Sequence, residues 1–76
     1  MPTREDAQAV YARMLMERIR QDPFPSATHM ALLEQVVPDE LVGDYIEVLL
    51  EKVGRDPAPS IPMLHRINRV IERMPA

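Results

Sequence analysis

Apolar residues recur at helical spacing along most of the chain. In four segments they lie three or four positions apart, and no segment has the strict alternation of apolar and polar residues that is typical of a strand. The spacing predicts helices over residues 4–21, 27–37, 40–53 and 61–74. The apolar stripe predicted to face the core from the first helix consists of Ala7, Val10, Tyr11, Met14, Leu15 and Ile19. The pattern therefore predicts an all-α fold.

Capping residues support the starts of these helices. Thr3 and Asp6 have the spacing of a capping box at the start of the first helix. Ser26 and Ser60 precede the second and fourth helices, and serine is a favoured N-cap residue. Gly54 is expected to end the third helix in the left-handed conformation.

Two short proline-containing connectors link the predicted helices within each half of the chain. Residues 22–26 read Asp-Pro-Phe-Pro-Ser and residues 56–60 read Asp-Pro-Ala-Pro-Ser. Asp22 and Asp56 each precede a proline, where aspartate commonly stabilises a turn. This interpretation is favoured over a paired acid or metal site.

The two connectors belong to a longer internal repeat. Residues 11–37 align with residues 45–71 at an offset of 34, and a period of this length is typical of a duplicated supersecondary unit. The fold class predicted is all-α, with two tandem helix-hairpin repeats of 34-residue period forming one compact four-helix domain. The domain would span residues 1–76, with repeat units 3–37 and 39–74. The alignment also places Tyr11 and Tyr45 in equivalent positions against the core.

Composition limits the class of protein. A chain of 76 residues is expected to form one domain with a modest core, and the absence of cysteine excludes disulfides and thiolate metal sites. The opening MPTREDAQ lacks an apolar run, so no secretory signal is expected, and no apolar stretch is long enough to span a membrane. We therefore expect a cytoplasmic protein without a membrane role.

The residues needed for catalysis do not form a recognisable set. The two glycines are isolated, so no phosphate-binding loop is predicted. His29 and His65 are not repeat equivalents, and a partly buried structural role for His29 is favoured over a metal ligand or a pH switch. The sequence therefore predicts no enzyme activity, catalytic residue, metal or cofactor.

Charged residues form two ridges at helical spacing. The basic ridge is Arg66, Arg69 and Arg73, and the acidic ridge is Asp44, Glu47 and Glu51. Residues three, four or seven apart lie on one face of a helix. Two interpretations remain open: solvated faces that exchange weak ion pairs, or a complementary surface used between copies or with a charged partner.

The favoured function is a small non-catalytic module for protein–protein interaction or self-association, with the two ridges and Phe24 as candidate partner-binding residues. Phe24, the only phenylalanine, is expected to close one end of the core or else to be an exposed anchor. The alternative is a nucleic-acid-binding domain in which the basic ridge contacts phosphates. The net charge of −3 and the acidic ridge disfavour nucleic acid.

Overall fold

The computed structural model describes residues 1–75, which form four α-helices and no strand. The helices are α1 (Arg4–Gln21), α2 (Ala27–Val36), α3 (Asp39–Arg55) and α4 (Ile61–Arg73). The all-α prediction is confirmed, and the ends of each helix lie close to those expected from the apolar spacing.

The chain divides into two units, of which the first ends at Pro38 and the second begins at Asp39. In the first unit α1 packs against α2, and in the second α3 packs against α4. Each unit is thus a pair of helices joined by a proline-containing connector. The 34-residue period and the single compact domain stay predictions.

Side chains at the helix starts satisfy backbone amides that have no partner inside the helix. Thr3 Oγ1 accepts from the Asp6 amide at 3.1 Å, and Asp6 Oδ2 accepts from the Thr3 amide at 3.2 Å. Ser26 Oγ accepts from the His29 amide at 3.0 Å, and Ser60 Oγ accepts from the Met63 amide at 3.2 Å. The capping box and both serine caps are confirmed.

The two connectors have the same internal geometry. Asp22 Oδ1 accepts from the Phe24 amide at 2.9 Å, and Asp56 Oδ1 accepts from the Ala58 amide, also at 2.9 Å. An aspartate that bonds the backbone two residues ahead mimics a turn and holds the chain in it. The turn-forming role predicted for both aspartates is confirmed.

The prediction for Gly54 is wrong. Gly54 lies inside α3, which continues to Arg55, and no glycine in the described chain has a positive φ. Asp56 follows the last helical residue, Arg55, and precedes Pro57. A proline pushes its preceding residue out of the helical region. The proline, rather than a left-handed glycine, therefore ends the helix.

The buried side of α1 differs from the prediction. Its buried side chains are Ala12, Met16 and Ile19, which are spaced by four and three residues, and Leu15 is half-buried. Val10, Tyr11 and Met14 were predicted to face the core, but they are 58 %, 43 % and 66 % exposed. Ala7 is also exposed. Because α1 has apolar residues on two opposite sides, the apolar spacing alone allowed either side to be buried.

The second unit buries more apolar side chains than the first. Six side chains of α3 are buried: Leu41, Val42, Tyr45, Ile46, Val48 and Leu49. Tyr45 is fully buried, so Tyr11 and Tyr45 do not share an environment and their predicted equivalence is wrong. Ile67 and Val70 of α4 are also buried. Among the four described helices, α3 therefore has the most buried side chains.

Candidate interaction surface

The basic ridge lies along α4 beside the buried stripe of that helix. Arg69 and Arg73 are exposed and Arg66 is half-buried, next to buried Val70. Arg69 makes no ion pair with any other residue in the range 1–75. Its guanidinium is a planar group with several donors, which suits carboxylates and phosphates.

The acidic ridge lies along α3, and all three of its side chains are exposed. Glu51 pairs with Arg55 of the same helix at 2.9 Å, which offsets part of its charge. Asp44 and Glu47 have no ion pair within the described part of the chain. The two ridges thus carry opposite charges, and the structure records no ion pair between Arg69 and either Asp44 or Glu47.

One side of α4 presents apolar side chains to solvent. Met63, Leu64, Ile67, Val70, Ile71 and Met74 form a single apolar arc on a helical projection. Only Ile67 and Val70 are buried, whereas Leu64, Ile71 and Met74 are exposed. Leu64 and Ile71 lie on the side of the arc away from Arg66, and Met74 is the C-cap residue of α4. The buried Ile67 and Val70 thus separate Leu64 and Ile71 from the basic ridge.

Phe24 does not close the end of the core. Its side chain is 84 % exposed on the first connector, held there by the turn bond between the Phe24 amide and Asp22 Oδ1. Of the two roles predicted for Phe24, only the exposed anchor agrees with this position. The ring is available for contact with another molecule, and a large aromatic side chain contributes much apolar area when it is buried.

A second exposed apolar surface lies on α1. The sequence pattern had predicted that its residues face the core. Ala7, Val10, Tyr11 and Met14 lie on one side of α1, opposite the buried stripe. The sequence could have indicated this surface, because α1 has apolar residues on two sides. That pattern is expected of a helix that packs against neighbours on both sides.

The two histidines differ in exposure. His65 is exposed, and His29 is half-buried with its amide bonded to Ser26 Oγ. Within residues 1–75, no group of three His, Cys, Asp or Glu side chains is placed to hold a metal ion. None of the four described helices is both long and apolar enough to cross a membrane.

The fold and its exposed surfaces define a small all-α protein with two helix-pair units. Comparisons with protein-family models, with curated proteins and with solved structures found no match to this chain. Its function is therefore inferred from its own residues.

Proposed function

We propose that the chain is a non-catalytic protein-interaction module whose binding surface is the exposed part of α4. The observation that supports this proposal is the uncovered apolar arc of α4, where Leu64, Ile71 and Met74 remain exposed. Exposed apolar side chains grouped on one face are typical of an association surface. In this proposal they form the centre of the contact.

The basic ridge determines which partner fits. Arg66, Arg69 and Arg73 lie beyond the opposite margin of the arc, across the buried Ile67 and Val70 from Leu64 and Ile71, so they add a separate basic strip to the exposed part of α4 that suits a partner with carboxylates. Pairing of this kind guides association and its specificity more than its strength. Nucleic-acid phosphates fit less well, because Asp44, Glu47 and Glu51 of the same unit carry the opposite charge and would repel them. Phe24 is a separate candidate anchor on the first unit.

The proposal is tested by comparing partner capture by matched variants. Wild type, Arg69→Glu and Ile71→Gln are immobilised and exposed to an extract of the native host, and captured proteins are quantified by mass spectrometry. Both variants are expected to lose the proteins that wild type retains. Arg20→Glu, which makes the same charge change on α1, should retain them. Circular dichroism checks that all four chains keep the same helical content.

The nucleic-acid alternative is tested with the same proteins. Fluorescent duplex DNA and RNA are titrated at several salt concentrations, and no tight binding is expected from wild type. Binding that weakens steeply with salt and disappears in Arg69→Glu would contradict the proposal, because that dependence marks neutralisation of phosphates. Equal capture by wild type and both α4 variants would also contradict it.

A further inference from the structure

The acidic ridge of α3 and the basic ridge of α4 have the same spacing. In each ridge the second residue follows the first by three positions, and the third follows the second by four. At about 1.5 Å per residue, each ridge extends over about 10.5 Å of its helix. The two ridges are therefore equal in length and opposite in charge.

Charged groups of both ridges are accessible to a partner. Arg69, Asp44 and Glu47 are exposed and form no ion pair with any residue from 1 to 75. Glu51 pairs with Arg55, but both side chains of that pair are more than half exposed. The fork of an arginine guanidinium matches a carboxylate through two parallel hydrogen bonds. A surface that fits one ridge therefore carries the opposite charge at the same spacing.

Antiparallel helices bring the two ridges into register. When Glu47 of one copy lies level with Arg69 of another, Asp44 lies within about 1.5 Å of the level of Arg73, because each residue advances the helix by that distance. The remaining residue of each ridge is offset from its counterpart by the same small amount. The middle residue of each ridge is displaced to the same side by the same angle, so Glu47 and Arg69 also meet on one side of the contact. All three pairs can therefore form at once.

We propose that the basic ridge of α4 binds the acidic ridge of α3 in a second copy of the chain, with the two helices antiparallel. The second copy is the occupant because one sequence supplies both halves of a contact that is matched in charge, length and register. Within one copy, Arg69 forms no ion pair with Asp44 or Glu47. This inference rests on the proposed function, since it names the partner of the basic ridge on α4.

The contact is weak and sensitive to salt. Exposed ion pairs each contribute little, and the net charge of −3 makes two copies repel each other at long range. At about 0.1 M salt the Debye length is about 10 Å, so this repulsion is screened more than the charges in contact are. We expect a dissociation constant below about 1 mM at that salt concentration, and association at least about threefold weaker at about 1 M salt.

The first test measures the oligomeric state of two neutralised variants of the full chain. The acid-neutral variant carries Asp44→Asn and Glu47→Gln, and the base-neutral variant carries Arg69→Gln and Arg73→Gln. In sedimentation equilibrium at about 0.1 M salt, each variant alone should associate about tenfold more weakly than wild type, because two of the three pairs in the contact are lost. All four positions are exposed on helices, so circular dichroism should show unchanged helical content.

The control for the loss of positive charge lies on α1. Arg4→Gln combined with Arg13→Gln makes the same change in net charge as the base-neutral variant. Both arginines are exposed and form no ion pair within the described chain. This control should associate like wild type.

The second test mixes the two neutralised variants. The acid-neutral variant keeps the basic ridge and the base-neutral variant keeps the acidic ridge, so a mixture can form one complete contact. The mixture should associate more tightly than either variant alone and give a 1:1 complex, because each variant supplies the half that the other lacks. A chain with all four substitutions keeps neither ridge, and mixing it with the acid-neutral variant should produce no gain in association.

Four results contradict the inference. They are a wild type that stays monomeric up to about 1 mM, neutralised variants that associate like wild type, a mixture of these variants without any gain, and an equal gain with the chain that carries all four substitutions. Sedimentation measures the purified chain alone, whereas partner capture reports other proteins of the host. A monomeric wild type, together with loss of captured proteins in Arg69→Glu and Ile71→Gln, would therefore overturn this inference and support the proposed function.

Discussion

Met16 is buried in α1, whereas Leu50, its counterpart 34 residues later in the aligned repeat, is half exposed on α3. Both are large apolar residues. The two helix pairs have the same connector geometry, but their first helices bury different sides. The likeness in sequence therefore extends to the connectors and not to the environment of each aligned side chain.

This difference predicts unequal losses of stability from matched truncations. Met16→Ala should lower the free energy of unfolding by about 2 kcal/mol or more, because it removes buried atoms and leaves a cavity. Leu50→Ala should lower it by less than about 1 kcal/mol, because half of the side chain is already in water. Urea denaturation followed by circular dichroism measures both. Equal losses would show that the two positions have the same environment after all.

The serine caps should contribute similarly in the two units. Ser26→Ala and Ser60→Ala should each lower the free energy of unfolding by about 1 kcal/mol, because each leaves a helix-start amide without its side-chain acceptor. Ser26→Asp and Ser60→Asp serve as controls and should keep most of that stability, since aspartate also caps helices well. Thermal and chemical denaturation of the four variants give the comparison. Alanine variants as stable as wild type would contradict the capping role.

Gly43 should be replaceable by alanine with a gain in stability. The residue lies inside α3 without a positive φ, and an added Cβ would meet nothing within 4 Å. Gly43→Ala should therefore raise the free energy of unfolding by about 0.5–1 kcal/mol, since alanine loses less backbone entropy in a helix. The measurement is chemical denaturation in dilute solution, with Gly43→Ser as a second variant of lower helix propensity. A loss of stability in both would indicate an unrecognised close neighbour.

The pair between Glu51 and Arg55 should matter little to the fold. Its atoms are 2.9 Å apart, but both side chains are more than half exposed. Arg55→Gln should change the free energy of unfolding by less than about 0.5 kcal/mol, because exposed ion pairs four residues apart on a helix contribute only weakly. Denaturation at low and high salt should give nearly the same difference between wild type and variant. A larger, salt-sensitive loss would mean that Glu51 is held in a stronger network.

Most of the local structure could be predicted from the residues themselves. The four helices, the serine caps and the aspartate turns depend on interactions within a few residues of one another, so the local pattern is enough to identify them. Gly54 was misread because two end signals compete at that point, a glycine and a following proline, and the proline prevailed one residue later.

Among the candidate site residues, the sequence determined that Arg66, Arg69 and Arg73 share one side of α4 and that Asp44, Glu47 and Glu51 share one side of α3. Helical geometry alone requires it. The exposure of Phe24 and of Leu64 and Ile71 on α4 could not be read from the pattern, because it depends on how much of each side chain the neighbouring elements cover.

The clearest division between sequence and structure lies in α1. The sequence by itself determined that residues 4–21 form a helix with apolar residues on two sides. Only the tertiary structure decided that Ala12, Met16 and Ile19 are buried and that Val10 and Met14 are left in solvent. The physical reason is that helical periodicity is a local property, whereas burial depends on which neighbours pack against the helix, and a helix that is apolar on two sides offers them a choice.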